Sequence, residues 1–220
     1  MYTPEYFVPE AETVHELLAG HGAADLVTVT PHGMLATLLP FVYERETGEQ
    51  GALLGHLARA NGQWRAETAH EALVIVRGPD AYISPTWYPS TARHHREVPT
   101  WNYITAHVYG NLIVHDDPDW VRRQIRGLVD RHEAGQDTPW SVDDAPADFV
   151  DRLLRGTIGV ELAITRIEAT FKLNQNHSGE NIDGVVAGLM SRRHGQDVAV
   201  AEAVAAHSPH GPQGSGPAVS

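Results

Sequence analysis

The residue that stands out for chemistry is Lys172, because the other fifteen basic residues of the chain are all arginines. A lysine ammonium is a compact, strongly hydrated charge that fits against a phosphate or a ring oxygen where a planar guanidinium does not. Three amide side chains, Asn174, Gln175 and Asn176, follow it and add hydrogen-bond donors and acceptors. The segment suits an anionic ligand rich in heteroatoms. A solvated lysine at a strand end explains it as well.

A second candidate group lies where a predicted strand meets a predicted helix, with His56, Arg59 and Asn61 close together. A helix N-terminus attracts anions, and a nearby arginine strengthens that attraction. The junction therefore indicates a contact with a phosphate. An ordinary capped helix, with Asn61 as the N-cap and Trp64 in the core, explains the same residues.

Aromatic, hydroxyl and proline residues form a stiff loop over residues 78–89, which contains Ser84 and Trp87. Such loops often form the walls of sites for planar aromatic ligands, because rings stack on them and hydroxyls bond to the ligand edge. The same composition is typical of an aromatic core at a subunit interface. Both interpretations stay open from the sequence.

The run Thr100-Trp101-Asn102 enters a predicted strand directly after Pro99. Side chains alternate between the two faces of a strand, so Thr100 and Asn102 should share one face and Trp101 should lie on the other. One face can then hydrogen-bond a ligand while the other face packs.

Composition excludes several kinds of site. The chain has no cysteine, which excludes disulfides, thiolate metal sites and cysteine nucleophiles. Its fourteen histidines keep metal or haem ligation open, but His94 and His95 in the His-rich loop 91–97 lack a third ligand, so no metal site is predicted. The net charge of −12 argues against a sequence-independent grip on DNA, which needs clustered cations. Phosphate-binding, dinucleotide-binding and hydrolase motifs are absent.

The elements that must position these residues are mainly short strands over residues 12–114, including one expected over 34–43 and a short helix over 61–68. This succession predicts an α+β fold built on an antiparallel barrel. A helical section should follow, with Asp117 as its N-cap and Pro118 as its first residue. A further strand over 159–173 leads to the Lys172 segment, and helices follow it.

We predict a single domain over residues 1–206, with a helical insertion at about 117–155, and a disordered tail rich in Pro, Gly and Ser over 207–220. The N-terminus does not have the pattern of a signal peptide, and no stretch is long and apolar enough to span a bilayer. A cytoplasmic protein without membrane contact is therefore expected.

In this order, these segments resemble the PaiB family, the FMN-binding negative transcriptional regulators. The resemblance covers roughly residues 1–190. It rests on several independent motifs: Met1-Tyr2-Thr3-Pro4; Gly55-His56-Leu57-Ala58-Arg59-Ala60-Asn61 with Trp64; Gly78-Pro79 with Ala81-Tyr82-Ile83-Ser84-Pro85 and Trp87-Tyr88; Val98-Pro99-Thr100-Trp101-Asn102-Tyr103 with His107 and Gly110; Lys172-Leu173 with Gln175-Asn176; and Gly184-Val185-Val186-Ala187-Gly188-Leu189.

The resemblance implies a split β-barrel related to flavin reductases and pyridoxamine phosphate oxidases. It also implies a homodimer with FMN sites at the subunit interface. In that picture Lys172 and the Arg59/Asn61 junction hold phosphate or ring oxygens, polar side chains bond the flavin edges, and a tryptophan flanks the ring. The candidate cofactor-binding residues are His56, Arg59, Asn61, Ser84, Trp87, Thr100, Trp101, Asn102, Lys172, Gln175 and Asn176.

The chain departs from the family pattern at three places close to Lys172. Asn174 stands where the family usually has serine, and His177 stands where it often has arginine. The pair Ala169-Thr170 replaces a Gly-Lys pair. The chain therefore offers fewer cations to a phosphate than the family pattern does.

Other functions stay open beside a flavin-dependent oxidoreductase. A related branch, the piperazate synthases, binds haem b and forms a nitrogen–nitrogen bond in a hydroxylated ornithine, and here His56, or next His107, would be the axial ligand. The aromatic pattern over residues 83–88 is closer to the PaiB type, so we rank flavin first. A transcriptional regulator is the third possibility, although no helix-turn-helix is recognisable and the charge does not favour DNA.

Overall fold

Seven β-strands form one hydrogen-bonded sheet within residues 1–68 and 70–210, the part of the chain that the computed structural model describes. The strands are β1 (Ala23–Thr30), β2 (Gly33–Pro40), β3 (Val42–Glu44), β4 (Ala52–Ala58), β5 (Ala72–Ile83), β6 (Thr100–His115) and β7 (Thr157–Lys172). Their order across the sheet is β2-β1-β5-β6-β7-β4-β3. Strand β1 pairs antiparallel with β2 and β5, and β4 pairs antiparallel with β3 and β7.

Six α-helices accompany the sheet in the same residues: α1 (Ala11–Gly20), α2 (Pro89–His94), α3 (Pro118–Glu133), α4 (Ala147–Arg155), α5 (Gly179–Arg192) and α6 (Asp197–Ala206). The predicted α+β fold with an antiparallel sheet is confirmed. None of the helices found in these residues has the length and the apolar character needed to cross a bilayer.

The single strand expected over residues 34–43 is wrong, because the chain changes sheet edges within it. Strand β2 pairs with β1 from Ala23↔Pro40 to Thr30↔Gly33, whereas β3 pairs with β4 at the other end of the strand order. The break falls at Phe41, whose fully buried ring lies where a Cβ on Gly55 would come within 2.9 Å of it. One straight strand could not reach both partners.

Two further expectations about local structure are wrong. The helix expected over residues 61–68 is only a 3-10 turn over Gly62–Arg65, closed by the Trp64 indole, which donates to the Arg59 carbonyl oxygen over 3.0 Å. The proline-rich stretch before β6, expected to be a loop, contains α2, because Pro89 stands at its first position, where a fixed φ suits a helix.

The described residues group into two compact units. The first, which we call the Lys172 unit, contains Met1–Glu10, Arg77–Thr105 and the described residues from Ala169 onward. The second, the His56 unit, contains Ala11–Val76 and Ala106–Glu168. The predicted division into one domain with an insertion and a tail stays a prediction, and residues 211–220 of that tail lie outside the described residues.

The core of the His56 unit includes a cluster between α3 and α4, formed by Val121, Val142, Val150 and Leu154. Helix α3 begins as predicted, because the Asp117 side chain accepts a hydrogen bond of 3.0 Å from the Asp119 N–H and Pro118 follows the cap.

In the Lys172 unit, α5 lies against the turn that contains Trp87. An added Cβ at Gly184 would come within 2.1 Å of the Trp87 carbonyl oxygen. At Gly188, one turn later, it would come within 2.3 Å of the indole ring. These two glycines let the helix backbone approach the tryptophan closely, so Trp87 is a packing residue of this helix.

Candidate functional site

The Lys172 unit contains a cavity of about 280 Å³. It is formed where the N-terminal segment, the loop before β6, the start of β6 and the turn after β7 come together. We call it the Lys172 cavity. Four of the residues predicted from the sequence line it: Thr100, Asn102, Lys172 and Asn176. The other lining residues are Tyr6, Phe7, Tyr88, Arg96, Glu97, Val98, Asn174 and His177.

Lys172 ends β7 and turns its ammonium toward β6, where Nζ donates a hydrogen bond of 2.6 Å to Thr100 Oγ1. Among the described residues Lys172 forms no ion pair, so its charge is available to a ligand. The Glu97 carboxylate in the same wall is held in place by Ser90 Oγ, which donates to its Oε1 over 2.6 Å. The cavity thus offers an ammonium and a hydroxyl side by side.

A chain of buried polar groups lies next to this pair. Asn102 Nδ2 donates to Asn174 Oδ1 over 2.5 Å, and Asn174 Nδ2 donates to the Tyr88 hydroxyl over 2.7 Å. Asn102 is fully buried, and within residues 1–68 and 70–210 its Oδ1 has no hydrogen-bond partner. If both amides were turned over, the unpaired atom would be Asn102 Nδ2 instead. In either orientation Asn102 keeps one unpaired polar atom.

Tyr88 supplies the far end of this chain and an aromatic wall. Burial raises the pKa of its phenol, while the hydrogen bond from Asn174 acts in the opposite direction. The hydroxyl therefore keeps its proton at neutral pH. The His177 ring stacks on Tyr88 with 4.8 Å between ring centroids. Asn174 and His177 stand at two of the positions where the chain departs from the family pattern, and both line the cavity.

The N-terminal segment is held against the same unit by a short contact. Thr3 Oγ1 lies 2.5 Å from Thr170 Oγ1, and Thr170 is buried. Position 170 belongs to the third departure from the family pattern, and the threonine there supplies the hydroxyl of this contact. Tyr6 and Phe7 of the same segment line the cavity.

Four predicted residues of the Lys172 unit lie outside the cavity lining. Gln175 folds back on its own turn, accepting from Leu173 N–H over 2.8 Å and donating to the Phe171 carbonyl oxygen over 2.6 Å. Ser84 caps the 3-10 turn that follows it. Trp87 packs against α5 as described above, and Trp101 lines a separate cleft.

The remaining three predicted residues belong to the His56 unit. Arg59 forms a two-bond ion pair with Asp116, at 3.0 and 2.5 Å, which lowers the pKa of that carboxyl. Its charge is therefore largely neutralised within the protein. Asn61 is the predicted N-cap, since its Oδ1 accepts from Gln63 N–H over 2.9 Å.

A glutamine determines which ring nitrogen of His56 donates a hydrogen bond. Gln124 Nε2 donates to the Leu54 carbonyl oxygen over 3.2 Å, which directs Gln124 Oε1 toward His56 Nδ1 at 2.8 Å. An amide oxygen can only accept, so His56 Nδ1 carries a proton in this arrangement, and in the neutral imidazole the lone pair is then on Nε2. This is the tautomer in which a histidine can act as a metal or haem ligand through Nε2.

The predicted set of cofactor-binding residues did not include Tyr88, Asn174 or His177, although the segments around Lys172 and Trp87 that contain them were singled out. Each lay next to a residue that was singled out: Tyr88 beside Trp87, and the other two beside Gln175 and Asn176. In the sequence, a signal for Asn174 and His177 was their departure from the family pattern. Nothing in the sequence joined Tyr88 to them, because the residues lie 86 positions or more apart.

Comparison with known proteins shows the family of the chain. Residues 1–166 match the family described as "Putative FMN-binding domain". Over 193 residues the chain is 30% identical to "Protease synthase and sporulation protein PAI 2" of Bacillus subtilis (strain 168), covering 87% of this chain and 90% of that protein. The chain belongs to the PaiB family.

Solved structures extend the comparison to the fold of this PaiB-family chain. The conserved hypothetical protein Rv2991 from Mycobacterium tuberculosis superposes with a TM-score of 0.57 at 10% identity, covering 81% of this chain and 94% of that one. The FAD and heme binding protein from Mycobacterium smegmatis superposes with a TM-score of 0.53 at 18% identity, covering 84% and 80%. The split β-barrel fold expected from the PaiB resemblance is confirmed.

Proposed function

We propose that the chain is a flavin-binding protein whose Lys172 cavity holds the isoalloxazine ring of FMN. One observation carries the proposal: a fully buried amide, Asn102, keeps an unpaired polar atom beside the Lys172–Thr100 pair. An unpaired buried acceptor costs about 1–3 kcal/mol. A ligand that donates a hydrogen bond there removes this cost.

The pyrimidine edge of a flavin has the matching groups, an imide N–H between two carbonyl oxygens. Asn102 Oδ1 would accept from the N–H, and the Lys172 ammonium and Thr100 hydroxyl would donate to a carbonyl oxygen. The lysine would also stabilise negative charge on the ring, since it has no ion pair in the described part of the chain. The bound flavin itself would supply the hydride and electron chemistry.

The other assignments stay proposals of the same kind. Arg59 and Asn61 are proposed for the phosphate, although Arg59 must share its charge with Asp116. Trp87, Trp101, Ser84, Gln175 and Asn176 stay predicted contacts of the flavin. We further propose that the protein is a homodimer in the cytoplasm. We favour an oxidoreductase activity over direct regulation of transcription, because the net charge of −12 disfavours contact with DNA.

The proposal is tested by adding FMN to the purified protein and recording the visible spectrum after desalting. Bound flavin bands are expected in the wild type, and Lys172→Met should weaken FMN binding by about tenfold, the cost of a lost charge-assisted hydrogen bond. Arg155→Met, which removes an exposed cation of the His56 unit, is the matched control and should leave the affinity unchanged. Equal affinity in both variants would refute the role of Lys172.

A second candidate, haem binding, is favoured by the tautomer of His56. Gln124 holds the proton on Nδ1 and leaves Nε2 as an available ligand. Titration with haemin should then give a Soret band that His56→Ala removes and His107→Ala keeps. A Soret band that survives His56→Ala would contradict His56 as the axial ligand. The absence of any band would contradict haem binding, and the flavin proposal would then be the one that remains.

A further inference from the structure

A second cleft of the Lys172 unit, of about 470 Å³, lies apart from the cavity just described. Trp101 lines it, whereas the residues on either side of it in β6, Thr100 and Asn102, line the Lys172 cavity. This is the expected result of the alternation of side chains along a strand. We call this second site the Trp101 cleft, and its other main walls are Asp80, Tyr82, Arg192 and Gln196.

Two aromatic rings are held in fixed positions in this cleft. The Trp101 indole N–H donates to Asp80 Oδ1 over 2.7 Å, which fixes the orientation of the indole. The Tyr82 ring meets it edge to face, with 6.3 Å between centroids and an angle of 68°. Trp101 is 50% exposed and Tyr82 is 39% exposed, so both rings still offer surface to a ligand.

The positive charge in the cleft is already neutralised. Arg192 forms two hydrogen bonds with Asp197, of 2.7 and 2.5 Å, and Asp197 is almost fully buried. The same guanidinium lies 5.9 Å from the centroid of the Tyr82 ring. Arg192 is therefore occupied by an internal partner and cannot turn to an anion without leaving a buried carboxylate unpaired.

The negative charge in the cleft has no such partner. Asp80 accepts from the indole and its backbone N–H donates to Gln196 Oε1 over 3.0 Å, but it forms no ion pair with any described residue. Trp101 takes part in none of the cation–π contacts found in residues 1–68 and 70–210. A fixed carboxylate thus lies at the edge of an indole ring whose faces carry no cation from the described residues.

We propose that the Trp101 cleft binds a small organic cation, an alkylammonium whose charge lies against the Trp101 and Tyr82 rings and the Asp80 carboxylate. Aromatic faces attract ammonium groups, most strongly those of tryptophan, and a carboxylate at the rim adds a charge of the right sign. The net charge of −12 also draws cations toward the protein. None of the residues that line this cleft lines the Lys172 cavity, so the inference does not depend on a flavin bound in that cavity.

Calorimetric titration of the full chain with choline, and with its uncharged isostere 3,3-dimethyl-1-butanol, tests the proposal. The two molecules have nearly the same shape, so only charge separates them. Saturable binding of choline is expected, with the isostere about fivefold weaker or worse, in line with the energy of a cation–π contact. Equal affinity for the two, or no saturable binding of choline, overturns the proposal.

Three variants locate the binding. Asp80→Asn keeps an acceptor for the indole but removes the charge, and it should weaken choline binding by about fivefold while FMN affinity stays unchanged. Trp101→Leu should abolish choline binding, with circular dichroism as the check on folding. Trp140→Leu, at a tryptophan of the His56 unit that is 47% exposed, is the matched control and should bind as the wild type does. If Asp80→Asn leaves the choline affinity unchanged, the proposal is overturned even if Trp101→Leu does not fold.

Discussion

At the scale of single residues, Asn102 and His56 share one feature. In each side chain one polar atom is hydrogen-bonded to a neighbour and the other has no partner among the described residues. Asn102 forms one hydrogen bond with Asn174 and keeps one unpaired polar atom although its side chain is buried. His56 has Nδ1 bound to Gln124 and a lone pair on Nε2. Unpaired groups of this kind are costly or reactive, so they are where we expect ligand chemistry.

For Asn102, the substitution Asn102→Leu should separate stability from binding. The leucine removes the unpaired Asn102 oxygen but also leaves Asn174 Oδ1 without its donor, so one unpaired buried atom replaces another and thermal unfolding of the free protein should change little. FMN affinity should fall about tenfold, because the imide N–H loses its acceptor. Melting curves with and without FMN measure both effects.

The control is Gln63→Leu in the His56 unit, where a buried amide has all its hydrogen bonds satisfied by Leu26, Thr28 and Thr37. This variant should lose about 1–3 kcal/mol of stability but keep its FMN affinity. If Asn102→Leu and the control lost the same affinity, Asn102 would have no specific part in binding.

For His56, the substitution Gln124→Leu should remove the acceptor that holds the proton on Nδ1. Nitrogen-15 chemical shifts of the imidazole should show the proton on Nδ1 in the wild type, because Gln124 Oε1 only accepts. In the variant the proton should move largely to Nε2, the tautomer that neutral histidine prefers in water. A wild-type protein with its proton on Nε2 would contradict the proposed amide orientation and with it the haem alternative.

At the scale of elements, side-chain alternation and close approach decide which faces meet. The alternation in β6 was predictable, and it separates Trp101 from Thr100 and Asn102. The approach of α5 to Trp87 was not predictable. From the sequence, Gly184 and Gly188 are only weak helix formers, and their contact with Trp87 is visible only in the structure. The family motif in this helix therefore has a packing explanation.

Two glycine substitutions should change stability in opposite directions. Gly188→Ala places a Cβ within 2.3 Å of the Trp87 ring, and the overlap should cost about 1–3 kcal/mol despite the better helix propensity of alanine. Gly127→Ala in α3 meets nothing within 4 Å, so it should add up to about 1 kcal/mol. Urea unfolding measures both, and a stabilised Gly188→Ala would show that α5 does not approach Trp87 so closely.

At the scale of the whole molecule, buried histidine makes stability depend on pH. Burial lowers the pKa of His21, whose Nδ1 contacts the Leu18 carbonyl oxygen and whose Nε2 has no partner among the described residues. The folded state therefore binds the proton less readily than the unfolded state. Stability is complete above a pH of about 6.5 and falls as the pH drops below it. Burial also lowers the pKa of His107, which adds a slope of the same sign.

His21→Leu should flatten part of this dependence. The free energy of unfolding, measured by urea at several pH values between about 5 and 8, should fall less steeply in the variant than in the wild type. The remaining slope comes from His107, and a second loss at lower pH comes from Asp116 and Asp197, whose pKa values are held down by Arg59 and Arg192. An unchanged slope near pH 6 would exclude His21 as a source.

The sequence by itself determined the properties that are local or carried by motifs: the PaiB family, the α+β fold, the cap of α3, Asn61 as an N-cap, and the two faces of β6. The caps and the strand faces depend on neighbours a few positions apart, and the family and the fold depend on motifs and elements that follow one another along the chain. Only the tertiary structure decided which side chains share a site, because strand pairing and helix packing bring distant segments together. It joined Tyr88, Asn102 and Asn174 into one hydrogen-bonded chain and paired Arg59 with Asp116. It also placed the Trp101 side chain in the Trp101 cleft and not in the Lys172 cavity.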